Sequence, residues 1–402
     1  MNTACDTAMA SALLRPSAGA VAVATLTVLP LFMVGALGLQ LSEDIGVSVS
    51  ALGIASAAFF GAGALASSLA GRVAATCGVR TTMRAALVAV IVVLLYLAFG
   101  VQSLFGLVVI LAIGGIANAL AQPSVNLYLA ERISRSRQGT AYGIKQSAIP
   151  VAGMLAGLTV PAIGLTIGWR WAFALFIIPP AVLSIYMPNA RVIVDTAHSR
   201  ETATQASRSM LGLIALAAGL GMAAGSSLGI FIVPGAVAAG WSPGQAGLVF
   251  AATSVIGVLG RLVCGIQADR RCGGHLRAVA LMVLVGSFGF VALVLSNPVS
   301  FVIGASIAFG FGWGWTGLLI HAVVRLSPAA PAASTGLVQI GSSSGAVVGP
   351  LLFGYLVEHG SYSVAWATAG VELLLSSGLF IVAAALTRQL RPITPTINGR
   401  RP

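Results

Sequence analysis

Residues 209–260 read SMLGLIALAAGLGMAAGSSLGIFIVPGAVAAGWSPGQAGLVFAATSVIGVLG, 52 positions without one charged side chain. A helix needs about 20 apolar residues to cross a bilayer. The run is too long for one crossing, and Gly240-Trp-Ser-Pro243 supplies a turn inside it. It therefore holds two helices. The same reasoning extends outward. Pro16–Ser42 and Ile45–Gly71, 27 residues each, hold one helix apiece. Residues 85–130 and 278–324 hold two each, turning at Gly100-Val-Gln-Ser103 and Ser296-Asn-Pro298. Gln146–Trp169, Trp171–Ala190, Leu326–Val357 and the stretch after His359 add four more. The total is twelve, at 18–41, 50–71, 84–101, 104–130, 139–166, 171–188, 210–236, 243–268, 276–296, 298–326, 334–357 and 363–387.

Composition excludes the soluble classes. Of 402 residues, 58% are hydrophobic and 7% charged, with mean hydropathy +1.00. Soluble domains carry roughly 25% charged residues, so a water-soluble enzyme, a disordered chain and a disulfide scaffold are all excluded. The net charge of +12 does not mark a nucleic-acid partner, because the basic residues sit between apolar runs. Cys5, Cys77, Cys264 and Cys272 have no CxxC spacing and none is expected outside the cell, so no structural disulfide is expected. No secretory signal is evident.

The basic residues orient the chain. With the N-terminus inside, 18 of the 21 fall on the cytoplasmic side, Arg170 falls outside, and Lys145 and Arg261 fall within spans. Both termini are then cytoplasmic, and the protein is a multi-pass component of the inner (plasma) membrane.

The two halves repeat. Ser48, Gly53 and Gly71 recur 194 residues later as Ser242, Gly247 and Gly265. Gly143-Ile-Lys-Gln146 and Arg132 recur 193 residues later as Gly336-Leu-Val-Gln339 and Arg325. The expected organisation is a six-helix bundle over 1–188, a cytoplasmic linker over 189–209, and a second bundle over 210–402 with a short cytoplasmic tail.

With these features the chain resembles the major facilitator superfamily, bacterial type. The family's loop signature, a glycine followed by an acid and a base, stands after the eighth helix as Gly265-Ile-Gln-Ala-Asp269-Arg270-Arg271. The copy after the second helix has Ala75 for the acid and Thr76 for the base, and Ile110–Gly115 lacks the family's arginine in the fourth helix. The fifth helix has a degenerate form of the family's antiporter motif, with Ile149 and Met154 replacing glycines. The resemblance implies an all-α membrane fold of twelve helices in two pseudo-symmetric bundles, with helices 1, 4, 7 and 10 lining a central cavity. It also implies a cytoplasmic latch, here from Gly265, Asp269, Arg270 and Arg325, with Asp269 facing the start of helix 11.

Polar groups in the spans are the substrate-binding candidates. Asn118, Gln122 and Asn126 form one stripe at four-residue spacing. Bare amides in hydrocarbon must face other helices or water. Trp313, Trp315, Thr316 and His321 follow the glycine-rich run Gly310-Phe-Gly312-Trp-Gly314, which leaves room for a flat ring or a solute. Lys145 lies roughly 9 Å into helix 5, beside Gln146, whose repeat is Gln339. Arg261 lies in helix 8. Each of these also has a bland reading: glue between helices, core packing, or a lysine that snorkels to the surface. Two intramembrane cations with no neighbouring acid favour a small organic anion or carboxylate. Glu372 is the only acid within a span and is expected to be packed and protonated.

No Walker-type GxxxxGK[ST] loop is present, so the expected function is secondary transport by alternating access, with no ATP, cofactor or metal. An enzyme is not expected, since His198, His275, His321 and His359 are scattered and no HExxH occurs. Efflux of apolar drugs is the alternative within transport, and a transport-inactive receptor or sensor the alternative class. The expected partners are a small solute and the bilayer, with a proton as candidate coupling ion and no nucleic acid; the expected state is a monomer.

Overall fold

The computed structural model describes residues 2–132, 138–186, 207–270, 273–327 and 330–389. Among them there is no strand. Helix α1 is Ala18–Ala36, continued by Gly38–Ile45; α2 is Val49–Cys77, α3 Val79–Phe99 and α4 Leu104–Leu129. The apolar stretch Thr140–Ile185 runs 46 residues and turns back at Gly168, where φ is +102°. Glycine takes that left-handed backbone without a Cβ penalty. The turn divides the stretch into α5 (140–168) and α6 (169–185), inside the gap predicted between 166 and 171. The second half follows with α7 Arg208–Ala238, α8 Pro243–Arg270, α9 His275–Val294, α10 Pro298–Leu326, α11 Ala333–His359 and α12 Tyr362–Thr387. Most of the linker expected at 189–209 lies outside the described residues, as does the tail from 390. At its end Ser207 caps α7, its hydroxyl accepting from the Met210 amide at 3.2 Å.

Helices α1–α6 and α7–α12 pack as two bundles with matching internal contacts. Lipid tails give helices no hydrophobic reason to associate, so close approach of small residues carries much of the packing. On α11, Gly341, Gly345 and Gly349 rest against the backbone of Ala215, Gly219 and Ala223 of α7. Between α2 and α4, Gly63 meets the Gly115 carbonyl; between α8 and α10, Gly260 meets that of Gly310. These last two join corresponding pairs of helices in the two halves.

The halves meet along two main seams. The α5/α8 seam is closed along its length: Gly157 against Gly247, Gly153 against Phe250, Pro150 against Gly257, and Gly143 against Gly265. The α2/α11 seam is closed only at one end. There Gly53 abuts the Pro350 carbonyl and Gly354 abuts Ser50, while Gly35 of α1 presses on Ile230 of α7. This end is termed the far face. Toward the other end, which carries Arg72, Arg208, Arg270 and Arg325 and is termed the basic face, α2 and α11 diverge. Gly71 and Gly336 have no atom within 4 Å of a would-be side chain, and Leu65 and Ile340 are 82% and 66% exposed. The molecule is sealed at the far face and parted at the basic face along this seam.

Candidate functional site

The amide stripe of α4 faces α1. Asn118 Oδ1 accepts from Thr27 Oγ1 at 3.1 Å and from Gln122 Nε2 at 2.9 Å. Asn126, a further turn toward the basic face, leaves its buried Oδ1 without a partner among the described residues. Such an orphan acceptor is uncommon and costs about 1–3 kcal/mol in a protein interior. Thr27 is a member of this cluster that sequence reading missed; its only signal is a hydroxyl midway along an apolar helix.

Helix α10 is broken at mid-membrane. Residues Ala308–Gly312 form a π-helical turn, and Trp313, with φ −123°, stands outside regular helix before Thr316–Leu326 resumes. Irregular backbone at this depth occurs where it is buried in protein or lines a cavity. The break frees the Trp313 carbonyl from the helical ladder, and Arg261 of α8 supplies its partner. The guanidinium donates from NH2 to Trp313 O at 2.9 Å and from NH1 to Gly257 O at 3.2 Å, and lies 5.6 Å from the Trp313 ring. Arg261 is 1% exposed, and among the described residues its Nε has no acceptor and no carboxylate pairs with it.

Lys145 stands close by along the α5/α8 seam, two residues from Gly143, which touches the Arg261 carbonyl. It is 8% exposed and has no hydrogen bond or ion pair among the described residues. The neighbouring Gln146 makes a long 3.5 Å contact from Nε2 to Thr316 Oγ1, joining α5 to the resumed part of α10.

The two tryptophans separate. Trp313 packs edge-on to Phe32 of α1 at 5.9 Å and tilted to Phe309 at 6.1 Å, while Phe32 and Phe309 also meet Phe250 of α8. These four rings cross from one half to the other on the far-face side of Arg261. Phe32 was not singled out from sequence, where nothing distinguishes it from a core phenylalanine. Trp315 corrects the expectation that it lines the cavity. It is 1% exposed, its Nε1 donates to Gly312 O at 2.8 Å, and its ring packs against Phe380 of α12 and Gly221 of α7 inside the second bundle. Gln339 is likewise not drawn to the amide cluster: it lies on the parted stretch of α11 and contacts Ser343 of its own helix at 3.4 Å. His321 sits near the basic face with its ring edge-on to His275 at 4.9 Å and its Nε2 buried without a hydrogen-bond partner among the described residues.

Asp269 joins α8 to the start of α5. Its Oδ2 accepts from the Thr140 amide at 2.8 Å and hydroxyl at 2.6 Å. The expected direction was helix 11; these two hydrogen bonds run to helix 5. Gly265, one turn earlier, lets the two backbones touch at Gly143. Arg270 and Arg325 are exposed and form no ion pair with a described residue.

A family model described as Major Facilitator Superfamily matches residues 18–324. The chain belongs to the major facilitator superfamily. Its helices are arranged in that superfamily's membrane fold. The nucleoside transporter NupG superposes with a TM-score of 0.72 at 13% identity, covering 92% of this chain and all of that one. The human organic anion transporter MFSD10 gives 0.65 at 18% identity, covering 91% and 99%. At these identities the likeness is one of fold. In sequence, monocarboxylate transporter 12 of Rattus norvegicus is 30% identical over 182 residues, 42% of this chain and 36% of that protein, so only about a third of the relative's length is matched. An MFS-type efflux pump of Mycolicibacterium smegmatis is 26% identical over 293 residues, 68% of each chain.

In such a transporter the Asp269 contact has a measurable consequence. Asp269→Asn is expected to lower initial uptake roughly two- to tenfold, the scale of one net hydrogen bond, with membrane insertion unchanged. Unaltered initial rates at equal surface expression would show the contact to be passive.

Proposed function

We propose that this transporter carries a small organic anion, most simply a carboxylate, by alternating access. The observation that carries the reading is a buried, unneutralised pair of cations. Lys145, the chain's single lysine, and Arg261 are 8% and 1% exposed, lie along one seam, and have no carboxylate partner among the described residues. An ion removed from water without a partner costs several kcal/mol. A protein that keeps two is set to recover that cost from a ligand of opposite sign. The Thr27–Asn118–Gln122 cluster provides neutral hydrogen bonding to the rest of the solute. The names of the monocarboxylate and organic anion transporters among its relatives agree in chemistry. The alternating loop charges support placing both termini in the cytoplasm of a cell with this protein in its plasma membrane. We take the transporter to act as a monomer driven by a solute or proton gradient, and the two bundles to be joined by a linker at 189–209.

A second reading, efflux of apolar compounds, is favoured by the Phe32–Phe250–Phe309–Trp313 cluster and by the mycobacterial efflux relative. Thermal unfolding of purified protein separates the two. Short-chain carboxylates are expected to raise the melting temperature, and Lys145→Ala is expected to remove that rise. With one lysine in the chain, amine-reactive labelling reports Lys145 and the N-terminus only, and a bound carboxylate is expected to protect the former. Stabilisation by lipophilic cations alone would replace the anion reading with the efflux one.

A further inference from the structure

We infer that Glu358, at the far-face end of α11, is a positioning residue of the transport cycle: a latch that holds the far face shut. The start of α2 shows why an acid is needed there. Its pseudo-symmetric mate, the start of α8, caps itself: Ser242 donates from its amide and hydroxyl to Gln245 Oε1 at 3.1 and 2.9 Å, and the Gln245 amide returns to Ser242 Oγ at 3.4 Å. In α2 the cap residue is Ser48, and the position three residues on is Ala51, which has nothing to offer in return. The acceptor comes instead from the other half of the molecule. Glu358 Oε2 accepts from Ser48 Oγ at 3.2 Å and from the Ser50 amide at 3.1 Å. An anion at a helix N-terminus is favoured by the unpaired amides there.

The surrounding backbone depends on this end alone. Gly53 and Gly354 bring α2 and α11 into contact beside Glu358, whereas the same two helices have parted at Gly71 and Gly336. The other seam carries its acid at the other end. Asp269 caps the start of α5 at the basic face, where the equivalent position in the first half, 194 residues earlier, is Ala75. At the far face the equivalent of Glu358, 193 residues earlier, is Leu165, an apolar side chain beside Gly244 that cannot accept a hydrogen bond. Each seam thus has one acid-to-helix latch, placed diagonally. Opening the cavity to the far face requires Glu358 to leave α2. Opening the α5/α8 seam to the basic face requires Asp269 to leave α5. The two acids therefore bias the cycle in opposite directions.

This inference rests on alternating access but not on the nature of the solute, so its test uses accessibility rather than flux. A single cysteine replaces Asn118 in a background where Cys5, Cys77, Cys264 and Cys272 are serine, and impermeant maleimide is applied from each face of the membrane. Glu358→Ala is expected to raise labelling from the far face about threefold, the bias that one water-exposed contact supports. Glu358→Gln keeps the acceptor and is expected to stay near the parent. Asp269→Asn is expected to shift labelling the other way, and the double variant to return toward the parent. Unchanged labelling in Glu358→Ala at equal protein level, or a shift in the same sense as Asp269→Asn, overturns the latch. Gly53→Val, which wedges α2 from α11 without touching Glu358, is the control: if it and every other variant label from one face only, alternating access itself fails.

Discussion

Arg261→Ala is expected to reduce transport about a hundredfold, with the protein still recovered in the membrane. Truncating one member of a buried, hydrogen-bonded charge pair costs roughly 2–5 kcal/mol, and two losses coincide here. The anion loses a buried cation, and the carbonyl of Trp313, left free by the break in α10, loses its donor. Arg261→Lys separates the two. An ammonium keeps the charge but lacks the planar fork that serves a carbonyl and a carboxylate at once, so an intermediate rate is expected, with weaker solute affinity. Initial rates in proteoliposomes at matched protein content, with melting temperatures alongside, provide the measurement. A normal rate in Arg261→Ala would remove Arg261 from the site.

Gly345→Leu is expected to lose the folded transporter. A side chain at Gly345 would overlap the Gly219 carbonyl of α7, and Gly341 and Gly349 make the same contact one turn to either side. Leucine gains roughly 1 kcal/mol in helix propensity over glycine. Overpacking costs about 1–3 kcal/mol where neighbours can yield, and a backbone carbonyl in a helix cannot. The steric term therefore wins, and α11 is forced away from α7. Gly336→Leu, on the same helix with no atom within 4 Å, gains the propensity without the clash and is expected to be neutral or slightly stabilising. Size-exclusion profiles and melting temperatures in detergent distinguish them; equal stability of the two variants would refute the packing account.

The architecture was legible because hydrocarbon leaves little choice. Charge-free runs of 46, 47 and 52 residues each had to contain a hairpin, and the turn at Gly168 fell within the predicted gap. The family assignment rested on Gly265 and Asp269, and both stand where α5 and α8 meet. The site was only partly legible. Trp313 and Trp315 are two residues apart and identical in type, yet the π turn and the irregular residues after it send one ring to the seam and the other into the second bundle. Thr27 and Phe32 lay unmarked in an apolar helix, since nothing local tells which buried residue meets the other helices' polar or aromatic groups. Asp269 stands out in the sequence as an acid at a helix end, but which helix it meets depends on how the halves dock.

The amino-acid sequence by itself determined the number of crossings, the duplication and the presence of unneutralised cations, because each follows from the cost of placing charge and unpaired backbone in oil. Only the tertiary structure decided which polar groups meet: Arg261 with the Trp313 carbonyl, Glu358 with the start of α2 across 308 residues of chain, and Lys145 with no hydrogen-bond or ion-pair partner among the described residues. The physical reason is that side-chain pairing depends on the rotation and register of packed helices. Those are set by glycine-to-backbone contacts between segments far apart in the chain, and hydrophobic periodicity carries no record of them.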